Sequence, residues 1–244
     1  MILTFKPLNK STLELVNRNA KLKVDRRLNK KERADIKITQ FTTDIFIGLL
    51  LSDLHISLRS LNQSPRLIFA QSGKPEKSEF FMNVFKLLSE FCTKNLEPNT
   101  RIWKDKRTDE VYSSISFATL QLPCFKVWHQ LFYKQNGLTP AGLPRFVKVI
   151  PLNIYELLTP SSLAYWIMGD GSKQNNGIHL SVYAYTLAEC DLLVEALNRK
   201  FNINCTLHKH NKGPRIYLDK ASTLLVRDLV KPYFVPSMYY KLGL

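Results

Sequence analysis

The sequence predicts an α+β fold made of two pseudo-symmetric halves, each running α-β-β-α-β-β-α. Three observations predict it. Two apolar, helix-like stretches each end on a single aspartate, Asp53 and Asp170. The strand-like and helix-like patterns that follow each stretch come in the same order. Finally, the 244-residue chain carries 35 Lys and Arg against 20 Asp and Glu, a net charge of +15. A balance this basic calls for a polyanionic partner.

The elements follow in order. Residues 1–40 carry a net charge of +7, and "KVDRRLNKKERADIK" shows little apolar periodicity. This stretch reads as a basic N-terminal arm. The first half, 41–150, opens with "FTTDIFIGLLLSDLHI", which Thr43 can cap. The second half, 159–244, opens within "LTPSSLAYWIMGDGSK", where Thr159 followed by Pro160 suits a helix start. "PLNIYELL", 151–158, joins the two. After each opening helix come alternating strands, "PRLIFAQS" and "GIHLSVYA". Amphipathic helices follow, "EKSEFFMNVFKLLSEF" and "TLAECDLLVEALNRKF". Hairpins with charged turns come next, and then the apolar helices "PCFKVWHQLFY" and "STLLVRDLVKPYF". Each half closes on a lysine near a proline, Lys148 in "FVKVIP" and Lys241 in "VPSMYYKL".

Several functional classes are disfavoured. The longest apolar run, "IFIGLLL", is far short of the roughly 20 residues of a membrane span, and the N-terminus lacks a secretory apolar core. No membrane partner is expected. Cys92, Cys124, Cys190 and Cys205 lie far apart without a C-x-x-C pair. They read as reduced thiols with no zinc signal. His208 and His210 would share a strand face, but no cysteine stands at ligand spacing; phosphate contact or solvation fits them better.

Two equivalent halves can pair about a pseudo-twofold axis. Packing the opening helices side by side would bring Asp53 and Asp170 together, and Gly48, Ser52, Ala164 and Gly169 are small enough to allow it. Two adjacent carboxylates repel, and the carbonyl ends of both helices add negative potential. A divalent cation relieves this, and hard oxygen donors favour Mg²⁺. The strands also alternate. His55, Ser57 and Arg59 are read as outward-facing, with Arg66 and Gln71 after the turn. In 178–185, Ile178, Leu180 and Val182 are read inward and His179, Ser181, Tyr183 and Tyr185 outward. A sheet with one wet, basic face can lie in the DNA major groove. Gln63, Lys173, Gln174, Asn175, His208 and His210 join this candidate set. Lys104, Lys106, Arg107, Lys212 and Arg215, at the hairpin turns, suit phosphates.

"FIGLLLSDL" (46–54) and "LAYWIMGDG" (163–171) resemble the two motif copies of single-chain LAGLIDADG homing endonucleases, the type found in organellar group I introns. The first copy keeps Gly48 and Asp53 but ends in Leu54; in the second, Tyr165 stands where the motif often has glycine. The likeness continues through "ALNRKFNINC" and "LVKPYFVPSMYYKL". It implies paired motif helices at the interface and a saddle-shaped antiparallel sheet on double-stranded DNA. The implied activity is site-specific, metal-dependent double-strand cleavage at a long asymmetric target, leaving 3′ overhangs. Asp53 and Asp170 would bind the metals, with the backbone carbonyls of Ser52 and Gly169, and Lys148 and Lys241 would lie near the scissile phosphates. The resemblance also implies Mg²⁺ as cofactor, Mn²⁺ as substitute and Ca²⁺ as support for binding alone. A monomer made inside the mitochondrion without a targeting peptide is the implied setting. The alternative is a group I intron maturase acting on intron RNA.

Overall fold

The computed structural model describes residues 28–244, so most of the basic arm read over 1–40 lies outside the described residues. The described part of that stretch holds a short helix, α1 (Lys30–Asp35), started by a capping box between Asn29 and Glu32. Helix α2 (Gln40–Leu51) begins a turn earlier than Thr43 would place it. Thr39 is the cap, its hydroxyl accepting from the Thr42 amide, and Thr43 lies inside the first turn. Both Thr39 and Thr43 have the side chain a cap needs; the difference is that only Thr39 is extended at the helix boundary. In the second half, α6 (Pro160–Asp170) starts as read, with Thr159 and Ser162 forming a capping box and Pro160 in the first turn.

Helices α2 and α6 pack on each other and are buried along most of their lengths. Neither has a polar face, because each is enclosed by its partner helix and by the body of its own half. In the first half, β1 (His55–Ser57), β2 (Arg66–Ser72), β4 (Val111–Ala118) and β3 (Asn99–Lys104) form an antiparallel sheet in the order β1-β2-β4-β3. In the second, β7 (Gly171–Gln174), β8 (Gly177–Ser181), β10 (Arg215–Leu218) and β9 (Cys205–His208) repeat that order, β7-β8-β10-β9. One face of the first sheet is covered by α3 (Pro75–Leu88), where Phe80, Phe81 and Phe85 meet Phe69 and Phe117 of the strands. The corresponding helices of the second half are α7 (Leu187–Phe201) and α8 (Lys220–Val230). The opposite face of each sheet is left open.

The halves differ where each closes. The reading αββαββα gives the first half one final helix. Instead α4 (Lys126–Phe132) runs straight into an added hairpin, β5 (Tyr133–Leu138) and β6 (Pro144–Lys148). Gly137 and Gly142, both at positive φ, turn the chain there. This hairpin carries Lys148. In the second half a 3₁₀ segment, Pro236–Leu242, carries Lys241. The connecting stretch 151–158 contains the short helix α5 (Ile154–Leu157).

Candidate active site and nucleic-acid interface

The site is built on the C-terminal ends of α2 and α6. Asp53 follows α2 by two residues, and Asp170 is the last residue of α6. A β-carbon on Gly169 would stand 2.5 Å from Ser52 Oγ and 3.2 Å from Asp53 Oδ2. The end of α6 thus passes directly across Asp53, which only a glycine allows. Asp170 is pushed up to about 7, first by burial and then by the Asp53 charge. Each acid therefore sits in the other's field.

Each helix end is also met by an ammonium group, buried at Lys241 and half-buried at Lys148. Lys148 Nζ donates to the carbonyl oxygens of Ser52 and Leu54, both at 3.0 Å. Lys241 Nζ donates to Ile167 (3.2 Å), Met168 (2.6 Å) and Gly169 (3.1 Å). The Ile167 carbonyl also accepts the Gly171 amide, and a cation at these helix-end carbonyls answers the negative end of the helix dipole. Burial pushes both lysines down to about 8, while Asp170 and Asp53 oppose the fall. Lys77, near the start of α3, lowers Lys241 further and favours ionised Asp170.

Gln71 lies elsewhere than its reading placed it. In β2 the odd positions Leu67, Phe69 and Gln71 point toward the core, and Gln71 is 5 % exposed. Its Nε2 donates to Asp53 Oδ2 at 2.5 Å. Arg66 and Gln71 are five residues apart, so a period of two cannot put both on one face. Tyr185 is likewise buried rather than outward, with its hydroxyl donating to the Leu51 carbonyl. The inward placement of Gln71 was legible from its parity with Leu67 and Phe69, whereas Lys77, one cation among 35, left no mark in the sequence.

Strand pairing defines the open face of each sheet. On the first, His55 and Ser57 pair with Ile68 and Arg66, sharing that face. His55 Nδ1 lies 3.1 Å from the Tyr133 hydroxyl. Arg59 and Gln63 lie in the loop between β1 and β2, and Gln63 Oε1 accepts from Gln121. Lys104 pairs with Val111, on the helix-covered side of the ladder, and forms an ion pair with Asp109 at 2.6 Å. Its odd-numbered cross-strand partner sets that side, so it does not share the open face. Lys106 and Arg107 are exposed in the turn beyond it.

On the second sheet, Ser181 pairs with Arg215, which pairs with His208, and all three are on the open face. Tyr183 accepts from Arg215 Nε and stacks on His210. Ser172 pairs with His179, and Gln174 with Gly177, again on that face. Lys173 lies on the opposite side, near Gly243. Asn175 is in the turn with φ 50°, and Lys212 donates its amide to His210 Nδ1. His179 is on the open face as read, and its partners Ser172 and Tyr217 are open-face residues that the strand parity could have supplied.

Residues 43–225 match the LAGLIDADG DNA endonuclease family. A cytochrome b mRNA maturase bI2 of Debaryomyces hansenii is 31% identical over 205 residues, covering 82% of this chain and 72% of its own. An intron-encoded endonuclease, ai4, of Dictyostelium discoideum is 36% identical over 159 residues, covering 63% of this chain and 93% of its own. The fold is similar to that of the homing endonuclease I-WcaI bound to its DNA recognition sequence, with a TM-score of 0.76, 22% identity, and coverage of 93% of this chain and 98% of that one.

Proposed function

Because the chain belongs to the LAGLIDADG DNA endonuclease family, we propose that it is a site-specific nuclease making a divalent-metal-dependent double-strand break, with 3′ overhangs, in a long asymmetric DNA target. The observation that carries this is the meeting of Asp53 and Asp170 at two adjoining helix ends, each end capped by a lysine.

The donor set fits a hard cation. Asp53 and Asp170 offer carboxylate oxygens, and the Ser52 and Gly169 carbonyls keep a second lone pair beyond the one each gives to lysine. Among the described residues no group of three or more His, Cys, Asp or Glu converges, so oxygen ligands favour Mg²⁺ or Mn²⁺ over zinc. When bound, such a cation supplies Lewis-acid stabilisation of phosphate oxygens and a more acidic water. The chain's own groups do the rest. Gln71 fixes the orientation of Asp53 through its amide. Lys148 and Lys241 hold cationic charge beside the acids, where negative charge grows on the phosphate during attack. The open sheet faces, with Arg66, His55, Ser181, His208 and Arg215, hold the duplex by phosphate and base-edge contacts. A monomer suffices, since one chain carries both acids, and an organellar intron is the genetic setting the relatives' names support.

A second reading, intron RNA maturation, is favoured by the likeness to a named maturase and acts through the same fold. Incubating the protein with Mg²⁺ and duplex DNA spanning its exon junction, and separately with the intron RNA, decides between them. Paired cuts in the DNA support the nuclease; faster splicing without DNA cleavage supports the maturase. Binding to DNA without cleavage in either Mg²⁺ or Mn²⁺ overturns the nuclease reading.

A further inference from the structure

One feature of the open face has no part in the chemistry above. Trp103 and Tyr112 are cross-strand partners near the tip of the β3–β4 hairpin. Their rings stack at 6.0 Å between centroids with 26° between planes. They are 40% and 43% exposed. Arg101, two residues before Trp103 on the same face, holds its guanidinium 5.7 Å from the Trp103 ring. The register fixes which face this is. Arg101 pairs with Ser114, which pairs with Ser72, while Phe117 and Phe69 point to the core. Trp103 and Tyr112 therefore stand on the groove side, and with Asp53, Gln71 and Lys77 they line a cavity of 320 Å³.

An aromatic pair left open to water beside Asp53 is surface that a partner covers. The second sheet carries a different pair at the corresponding place, Tyr183 stacked on His210 with the Arg215 guanidinium 5.5 Å from the Tyr183 ring, so an imidazole stands there in place of an indole. The β9–β10 ladder spans only Cys205–His208 against Arg215–Leu218, whereas β3–β4 runs six pairs from Asn99 to Lys104. An apolar aromatic face, indole on phenol, stands in the first half, whereas the second half offers the titratable imidazole of His210. In the major groove the only apolar group a base edge presents is the thymine 5-methyl. Small neighbours, Ala70, Ser72 and Ser114, leave room for it.

We propose that Trp103 and Tyr112 form a thymine-reading contact in one half-site, next to the phosphate that Asp53 serves, with Arg101 on the adjoining backbone. The contact makes recognition asymmetric and fixes the orientation in which the protein sits on its target. This rests on the DNA-binding reading above, so the test uses binding alone. Random-sequence duplexes are selected by the full chain in Ca²⁺, in parallel for wild type, Trp103→Val and Tyr112→Leu, which keep strand-forming or apolar side chains, with thermal melting as the control for folding. Recovered thymines are then replaced by deoxyuridine. Wild type is expected to enrich thymine at one to three adjacent positions of one half-site and to lose at least about three-fold in affinity on uracil substitution there. Each variant loses that preference alone and is indifferent to the methyl group. Unchanged variant profiles, or a loss spread evenly over both half-sites with a lowered melting temperature, overturn the proposal and leave DNA binding intact. A wild type that enriches no sequence overturns the DNA-binding reading itself.

Discussion

A β-carbon added to Gly48 would stand 2.0 Å from the backbone oxygen of Ser162, so α2 and α6 are in backbone contact at this point. No rotamer change relieves a clash with backbone. At Gly169 the added atom would meet Ser52 Oγ at 2.5 Å and Ser52 Cβ at 2.6 Å; the hydroxyl can rotate, but the Cβ is fixed to its backbone, so a helix end must shift. Gly48→Ala should therefore destabilise the fold by about 3 kcal/mol or more, and Gly169→Ala, at the helix end where the chain can shift, by about 2 kcal/mol. Chemical denaturation of both variants checks this; equal losses would mean that the helices separate easily.

The proposed metal assignment makes its own demand. Asp53→Asn and Asp170→Asn keep size and shape but remove a charge from the paired site. Each should reduce double-strand cleavage in Mg²⁺ to background while leaving affinity in Ca²⁺ within a few-fold of wild type. Gel-based cleavage and titration assays report the two separately. Normal turnover in either variant removes the acids from the mechanism.

The raised Asp170 carboxyl has a consequence for stability. In the unfolded chain it ionises near its ordinary value, but in the fold it holds its proton up to about 7. Between these values the folded state binds more protons, so this group's contribution is full below about pH 4 and is lost as pH rises to 7. At pH 8 the ionised, buried carboxylate destabilises the metal-free protein by up to about 4 kcal/mol. Asp170→Asn removes that charge. Without divalent ions it should melt higher than wild type at pH 8, and the gap should narrow toward pH 5. A gap that widens on acidification would show that the carboxyl is not destabilised by burial.

Lys148 and Lys241 are each tied to one helix end by two or three carbonyl bonds. Lys148→Met and Lys241→Met should each slow cleavage by about 10²-fold or more at saturating DNA. Single-turnover rates check this. Rates unchanged at saturation, with weaker binding only, would make both lysines phosphate clamps.

Binding through the open faces is largely a matter of phosphate neutralisation. Affinity should fall with salt on a log–log slope of about −0.9 for each phosphate contacted. Arg66→Gln and Arg215→Gln should each flatten the slope by about one unit. A slope unaffected by these changes would place the duplex elsewhere on the protein.

How far the sequence carried the reading can be seen at particular residues. Thr159–Pro160 marked the start of α6 because capping chemistry is local. The doubled apolar helix ending in aspartate marked the two centres of the fold, and strand alternation put His55, Ser57, His179 and Ser181 on open faces. Where parity was not held strictly, at Gln71 and Lys173, the reading lost the correct face, and Lys104, read in a hairpin turn, is the last residue of β3. The β5–β6 hairpin went unread because its strands are largely exposed and carry no apolar alternation.

By itself, then, the sequence determined the repeat, the start of α6, the two acids and the basic character of the partner-facing surface. These are properties of neighbouring residues, fixed by backbone geometry and by which side chains avoid water. Only the tertiary structure decided that Lys148 and Lys241, of 35 cations, would cap the two helix ends, that Gln71 would hold Asp53, and that Lys77 and the Trp103–Tyr112 pair would stand beside it. Those approaches depend on where a hairpin or a chain terminus returns after dozens of residues, and no local pattern encodes that distance.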